Sequence, residues 1–139
     1  MLLDDLPAIK KLLTTAKTIA VVGLSPKEAR PSNMVARYLI KAGYTIIPVN
    51  PGQKEILGLD CYPDLTAIPT PVDIVNIFRR SEDVEPIVAE AIAIGARMIW
   101  MQEGVIHAEA ARTAKAAGLV VVMDRCIKTV HHDMGYQPG

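Results

Sequence analysis

TIAVVGLSPKEARPSN, residues 18–33, joins a β-branched apolar run to a glycine, a polar loop and the start of a patterned helix. The run Thr18 to Val22 is β-branched everywhere except Ala20, as suits a parallel strand covered on both faces. Gly23 lets the backbone turn sharply with no Cβ in the way. Pro31, with Ser32 or Asn33 as the cap, begins a helix whose free backbone N–H groups and dipole face back over the strand end. The stretch therefore predicts a strand, an anion-binding loop and a helix.

Working outward, the 139 residues are half apolar, with 15 Lys and Arg against 15 Asp and Glu. That suits one domain with a real core and gives no overall basic field for nucleic acid or an anionic membrane. Cys61 and Cys126 are the two cysteines, far apart and in no CxxC pair, which argues against a disulfide framework or a structural zinc site. A reducing cytoplasm is expected. The opening MLLDDLPAIKKLL has acidic residues where a signal peptide needs basic ones, and no apolar run reaches membrane-spanning length.

Leu2, Leu3, Leu6, Ile9, Leu12 and Leu13 recur at roughly helical spacing and predict a short amphipathic helix before the first strand. After the loop, Met34, Val35, Tyr38, Leu39 and Ile40 predict a helix ending at Gly43. Tyr44 to Val49 is a second strand, in which Pro48 suggests that no neighbour needs the N–H it lacks. Gln53 to Pro71, interrupted by Pro63, Pro69 and Pro71, predicts a loosely structured connection with one short turn capped by Asp64. Val72 to Phe78 is a third strand, followed by a helix capped at Ser81 and ended by Gly95. Arg97 to Met101 is a fourth, His107 to Ala117 a helix, Leu119 to Met123 a fifth strand, and the tail from Asp124 one more short helix.

Strands alternating with helices predict an α/β fold, a Rossmann-like open parallel sheet of five strands with helices on both faces. The expected strand order is 3-2-1-4-5. Ligands then bind over the carboxyl ends of the strands near Gly23. Residues 23–33, 50–54, 78–81, 102–104 and 124–126 all follow strands.

The dinucleotide fingerprint needs three glycines at fixed spacing, and the loop supplies only Gly23. The carboxylate that grips ribose hydroxyls in NAD sites is replaced by Asn50, with Lys54 nearby. No GxxxxGK[ST] sequence occurs. What remains is a nucleotide with a diphosphate and a phosphorylated ribose, a description met by both coenzyme A and NADP.

Five segments in order carry a family likeness: VVGLSPKEARPSNMVARYL, GYTIIPVNP, VDIVNIFRR, WMQEG from Trp100 and DRC from Asp124. From about Ala16 to His131 the chain resembles the small CoA-binding proteins related to the N-terminal domain of the succinyl-CoA synthetase alpha subunit. The resemblance implies a CoA-binding Rossmann-like fold. It places Gly23, Ser25, Arg30, Pro31, Ser32 and Asn33 on the phosphate loop, and Asn50, Pro51 and Lys54 on the adenosine side. Phe78 and Arg79 flank the ligand, and Gln102 and Gly104 lie near the pantetheine path. The synthetase's phosphorylated histidine belongs to a second domain outside the matched region, so binding rather than acyl-CoA ligation is implied. The family often has an acidic residue before the tail histidine, where this chain has Val130 before His131.

One of Arg79 and Arg80 is a candidate phosphate contact, against the reading that both are surface charges. Trp100 is expected in the core, and Gln102 and Glu103 toward ligand. His107, His131 and His132 have no metal-site spacing, so no metal is assigned, and His107 reads as a surface or capping residue. Asp124 reads as a helix cap or partner of Arg125 rather than a catalytic carboxylate, and Cys61 as incidental. Cys126, beside Arg125 at a helix start, is the candidate redox thiol, able to form a mixed disulfide with CoA, against a plain structural role. The expectation is a non-catalytic or regulatory module binding CoA or acyl-CoA, with no nucleic-acid or membrane partner. The alternatives are an NADP-dependent reductase or a thioester-handling enzyme. A protein partner or homo-oligomer stays open.

Overall fold

A computed structural model describes residues 6–135. The elements run α1 (Leu6–Thr15), β1 (Thr18–Val22), α2 (Pro31–Lys41), β2 (Thr45–Val49), β3 (Glu55–Ile56), β4 (Leu59–Asp60), β5 (Ile74–Ile77), α3 (Val84–Ala93), β6 (Met98–Met101), α4 (Ala108–Ala116), β7 (Val120–Val122) and α5 (Ile127–Asp133). Leu2 and Leu3, expected in the first helix, lie outside the described residues.

Five parallel strands form the sheet, in the order β2-β1-β5-β6-β7. Alternating side chains sort the core into two layers, as a sheet covered on both faces requires. Ala20, Val22, Val75, Ile77, Ile99 and Met101 pack with Val84, Val88 and Ala91 of α3 and Ala110 and Ala114 of α4. Ile19, Val21, Ile74, Met98, Trp100 and Val122 pack on the opposite face with α1, α2 and Ile127 of α5. Trp100 is fully buried, as expected, and its indole Nε1 donates to Arg125 O at 2.8 Å.

The fold class stands, but the expected order 3-2-1-4-5 does not. Counted along the chain, the five strands lie 2-1-3-4-5, because β5 joins the free side of β1 instead of extending beyond β2. Pro48 supplies the reason. Thr45 donates to Lys17 O at 2.8 Å and Val49 O accepts from Gly23 at 2.8 Å, so those residues face β1. Pro48 O accepts from Tyr62 at 3.0 Å, so Pro48 faces outward. A strand pairing along that edge would find no N–H at Pro48, and β2 is an edge strand.

The connection after β2 is more ordered than expected. Glu55–Ile56 and Leu59–Asp60 pair as an antiparallel hairpin, turned through Leu57 and Gly58 with φ of 57° and 74°. Asp64 does cap the short turn Leu65–Ala67, its Oδ1 accepting from Ala67 N–H at 3.0 Å.

Three helix starts also differ. Arg30, not Ser32 or Asn33, is the N-cap of α2, because Pro31 takes the first helical position. Ser81 does not cap α3: its Oγ accepts from Ile106 N–H at 2.9 Å and donates to Gly104 O at 3.3 Å. Asp124 neither caps a helix nor pairs with Arg125, and its Oδ1 accepts from Gly104 N–H at 2.7 Å. Below the sheet, Asp73 Oδ2 accepts from Lys17 N–H at 2.8 Å and Thr18 N–H at 3.2 Å, pinning β5 to the entry of β1.

Candidate functional site

The order 2-1-3-4-5 reverses direction between β1 and β5, and that switch point is where an open parallel sheet leaves a crevice above its carboxyl ends. Gly23 sits there with φ of 88°. A Cβ on it would lie 2.6 Å from Phe78 O and 2.9 Å from Arg79 Cδ, so the β1 and β5 exits approach as closely as glycine alone permits.

From Gly23 the loop is stitched to the first turn of α2. Ser25 N–H donates to Ser32 Oγ at 3.0 Å, Lys27 N–H to Ser25 Oγ at 3.1 Å, and Asn33 Nδ2 to Ser25 O at 2.9 Å. Ser32 and Asn33 are buried, so their contribution is to fix the loop. Asn33 Oδ1 in turn accepts from Arg37 Nε at 2.9 Å. The result is a cavity of about 280 Å³ lined by Gly23, Ser25, Lys27, Arg30, Pro31, Ser32 and Phe78. It has two cations, no carboxylate and the N-terminus of an 11-residue helix, all favourable to an anion. Lys27 was not among the expected site residues. Its place inside the loop, three residues before Arg30, was the available signal.

A second cavity, also about 280 Å³, opens beside it over the ends of β1 and β2. Val22, Val49, Pro51, Leu65 and Ile87 give it apolar walls, and Arg79 lies on its border with the first. Its acids are internally engaged. Asp83 Oδ2 is 3.4 Å from both Arg79 and Arg80, and Glu90 Oε1 accepts from Leu65 N–H at 3.0 Å. Arg80 is exposed and lines neither cavity.

The remaining expected residues divide. Asn50 is at the end of β2, but its amide is committed locally: Nδ2 donates to Leu24 O at 3.0 Å and Oδ1 accepts from Gly52 N–H at 2.9 Å. Lys54 is exposed and lines neither cavity. Gln102, expected toward ligand, is buried, and its Oε1 accepts from Ile127 N–H at 3.0 Å, holding the start of α5. Glu103 beside it is exposed. Cys126 is the half-buried N-cap of α5, four residues after the end of β7. Cys61 has a place in the loop architecture, its Sγ 3.5 Å from Asn50 O, and burial pushes its thiol up against the opposing effect of that bond. His107 is the N-cap of α4, Nδ1 accepting from Ala110 N–H at 3.0 Å. Among the described residues no group of three or more His, Cys, Asp or Glu could hold a metal, and no helix is long and apolar enough to cross a membrane. Neither cavity is lined by a histidine or cysteine.

The chain is 45% identical over 123 residues to the uncharacterised Bacillus subtilis protein YneT, covering 88% of this chain and 91% of that one. A hypothetical protein from Pyrococcus horikoshii superimposes with a TM-score of 0.88 at 38% identity, covering 91% and 89% of the two chains. Acetate–CoA ligase (ADP-forming) I of Archaeoglobus fulgidus is 27% identical over 128 residues, and the matched segment spans 85% of this chain but only 19% of the ligase. Residues 17–132, from the entry of β1 to the last turn of α5, fit the sequence pattern of the CoA binding domain, and the chain belongs to that family.

Proposed function

We propose that this protein is a coenzyme A-binding module that holds the cofactor without transforming it. The observation that carries the reading is the cation-lined cavity at the start of α2, closed by the contact between Gly23 and Phe78. The CoA diphosphate lies there, against Lys27, Arg30 and the helix N-terminus. Adenosine occupies the adjoining cavity against Val49 and Pro51, under Arg79. Lys54 or an arginine reaches the ribose phosphate, and the pantetheine arm runs along the strand ends toward Gly104. No histidine or cysteine lines either cavity, and the four acids of the second are engaged with Arg79, Arg80 and the backbone N–H groups of Leu65 and Ala67, which supports holding over catalysis. Two unpaired thiols suit a reducing cytoplasm.

Cys126 adds a redox response. Its thiolate attacks one sulfur of CoA disulfide, giving a protein–CoA mixed disulfide and releasing the other CoA as thiolate, so the exchange needs no outside oxidant. Mass spectrometry after incubation with CoA disulfide should find one CoA adduct on Cys126. Its absence while CoA still binds would remove the redox role alone.

Calorimetric titration of the reduced protein with CoA, 3′-dephospho-CoA and NADPH tests the main reading. CoA should bind tightest, and Arg30→Ala should weaken it about tenfold, as loss of a charge-assisted phosphate contact does. Preference for NADPH, or no binding of CoA, overturns the assignment.

A further inference from the structure

The outer side of α2 carries a feature that CoA binding does not use. Met34, Arg37, Tyr38 and Lys41 recur at three- and four-residue intervals along one face, and Lys128 of α5 leans over them. With Ile40 they line a groove of about 520 Å³, larger than either cavity at the strand ends.

Its apolar side chains are Met34, Tyr38 and Ile40. Met34 is 47% exposed and Ile40 40%, two of the five exposed large hydrophobic residues among those described. Tyr38 is anchored, its hydroxyl 2.7 Å from His131 Nδ1 and its ring 5.6 Å from Lys128 Nζ. Its charged side chains, Arg37, Lys41 and Lys128, are all cations. No carboxylate lines the groove, and among the described residues neither Lys41 nor Lys128 has one within 4.0 Å; Arg37 reaches only the exposed Glu28, at 4.0 Å. In a chain of zero net charge this is a local excess of three cations around exposed apolar surface.

We propose that this α2–α5 groove docks an acidic amphipathic helix of a partner protein, its apolar side chains entering between Met34, Tyr38 and Ile40 and its carboxylates meeting Arg37, Lys41 and Lys128. The mode is a helix laid in a groove, with the charges setting orientation and encounter rate. Only three cations line the groove, fewer than the four to eight that read as an anionic-lipid site, which favours a protein segment over a membrane surface. The groove lies along the helix whose first turn forms the phosphate loop, so a docked partner rests on the element that would hold CoA.

A fluorescein-labelled synthetic helix of about 18 residues, with Leu at i, i+4 and i+7 and Glu on both flanks, is titrated with the full chain. Saturable, salt-sensitive binding is expected, with amide NMR shifts centred on α2 and α5. Lys41→Glu with Lys128→Glu should weaken it about tenfold, and Ile40→Glu similarly. These variants should keep the CoA titration and thermal midpoint of the parent protein. Lys41→Gln with Lys128→Gln is the milder pair should charge reversal lower that midpoint. Absence of binding, equal binding of a Lys-for-Glu counterpart, indifference to the substitutions, or capture by phosphatidylserine vesicles alone would each overturn the inference. Helix binding without CoA binding would leave it standing and remove the CoA reading instead.

Discussion

Gly23 meets two independent demands: a positive φ, and a Cβ position already filled by Phe78 O at 2.6 Å. Gly23→Ala must therefore both strain the backbone and push the β1 and β5 exits apart. The expected cost is about 1–3 kcal/mol in urea unfolding, with a loss of CoA affinity of at least about tenfold by calorimetry. Asn76 is the opposite case. It is fully buried in the centre of the sheet between Val21 and Trp100, and neither its Oδ1 nor its Nδ2 has a hydrogen-bond partner. Asn76→Val removes the unpaired amide and suits a strand, so urea unfolding should show a gain of about 1–3 kcal/mol. A loss would mean the amide is satisfied by a water worth keeping. At this scale sequence reading finds the right residues more readily than their roles. Ser32 and Asn33 stand at a helix start and are polar, which suggests capping, but Pro31 before them occupies the first helical position and leaves the cap to Arg30. Once inside the helix, both side chains turn back to Ser25.

Among elements, α5 depends most on distant partners. Its seven residues are too few to be helical alone, and it is fixed by Gln102 at one end and by Tyr38 at His131 near the other. Gln102→Leu would leave Ile127 N–H buried and unpaired. The expected loss is about 1–3 kcal/mol, with faster hydrogen exchange across α5. His131 makes the docking pH-dependent. Burial, and after it the charge of His132, holds its imidazole below the ordinary histidine range, so the folded chain favours the neutral ring. A depressed folded value means the stabilisation is whole above the unfolded pKa of about 6.5 and drains away as pH falls from there through the folded value. Urea midpoints should therefore decline on acidification below about pH 6.5, and His131→Gln should flatten that part of the profile. A short helix after Asp124 was legible in the sequence, but its anchoring was not, because the partners lie 25 and 93 positions away and are apolar or polar residues of unremarkable type. The β3–β4 hairpin is illegible in the sequence for a local reason. Its strands are two residues each, too short for alternation to register, and only the Leu57-Gly58 turn marked it.

For the molecule as a whole, periodicity and glycine stops were enough to find all five strands of the sheet, while their order rested on one residue. Pro48, which has no N–H to offer a further strand, suits β2 to the end position it holds in 2-1-3-4-5 and not to the inner place of 3-2-1-4-5. The order matters for function because β1 and β5 then meet at the crevice, and the sheet divides there into a half led by β2 and β1 and a half led by β5, β6 and β7. A CoA placed across the two cavities touches both halves: residues of the β1–α2 and β2–β3 loops from one, Phe78 and Arg79 from the other. It should thus act as a clamp on the switch point. At a free concentration about 100 times its Kd, a ligand that binds only the folded chain adds about 2.7 kcal/mol of stability. For a chain of 139 residues that raises the thermal midpoint by about 8–13 °C. Hydrogen exchange then separates a clamp from a one-sided contact. CoA should slow exchange together in residues 23–33, 50–52 and 78–83, while the α2–α5 groove around Lys128 stays unchanged. Protection confined to residues 23–33 would retain the phosphate loop and overturn the placement of adenosine in the adjoining cavity.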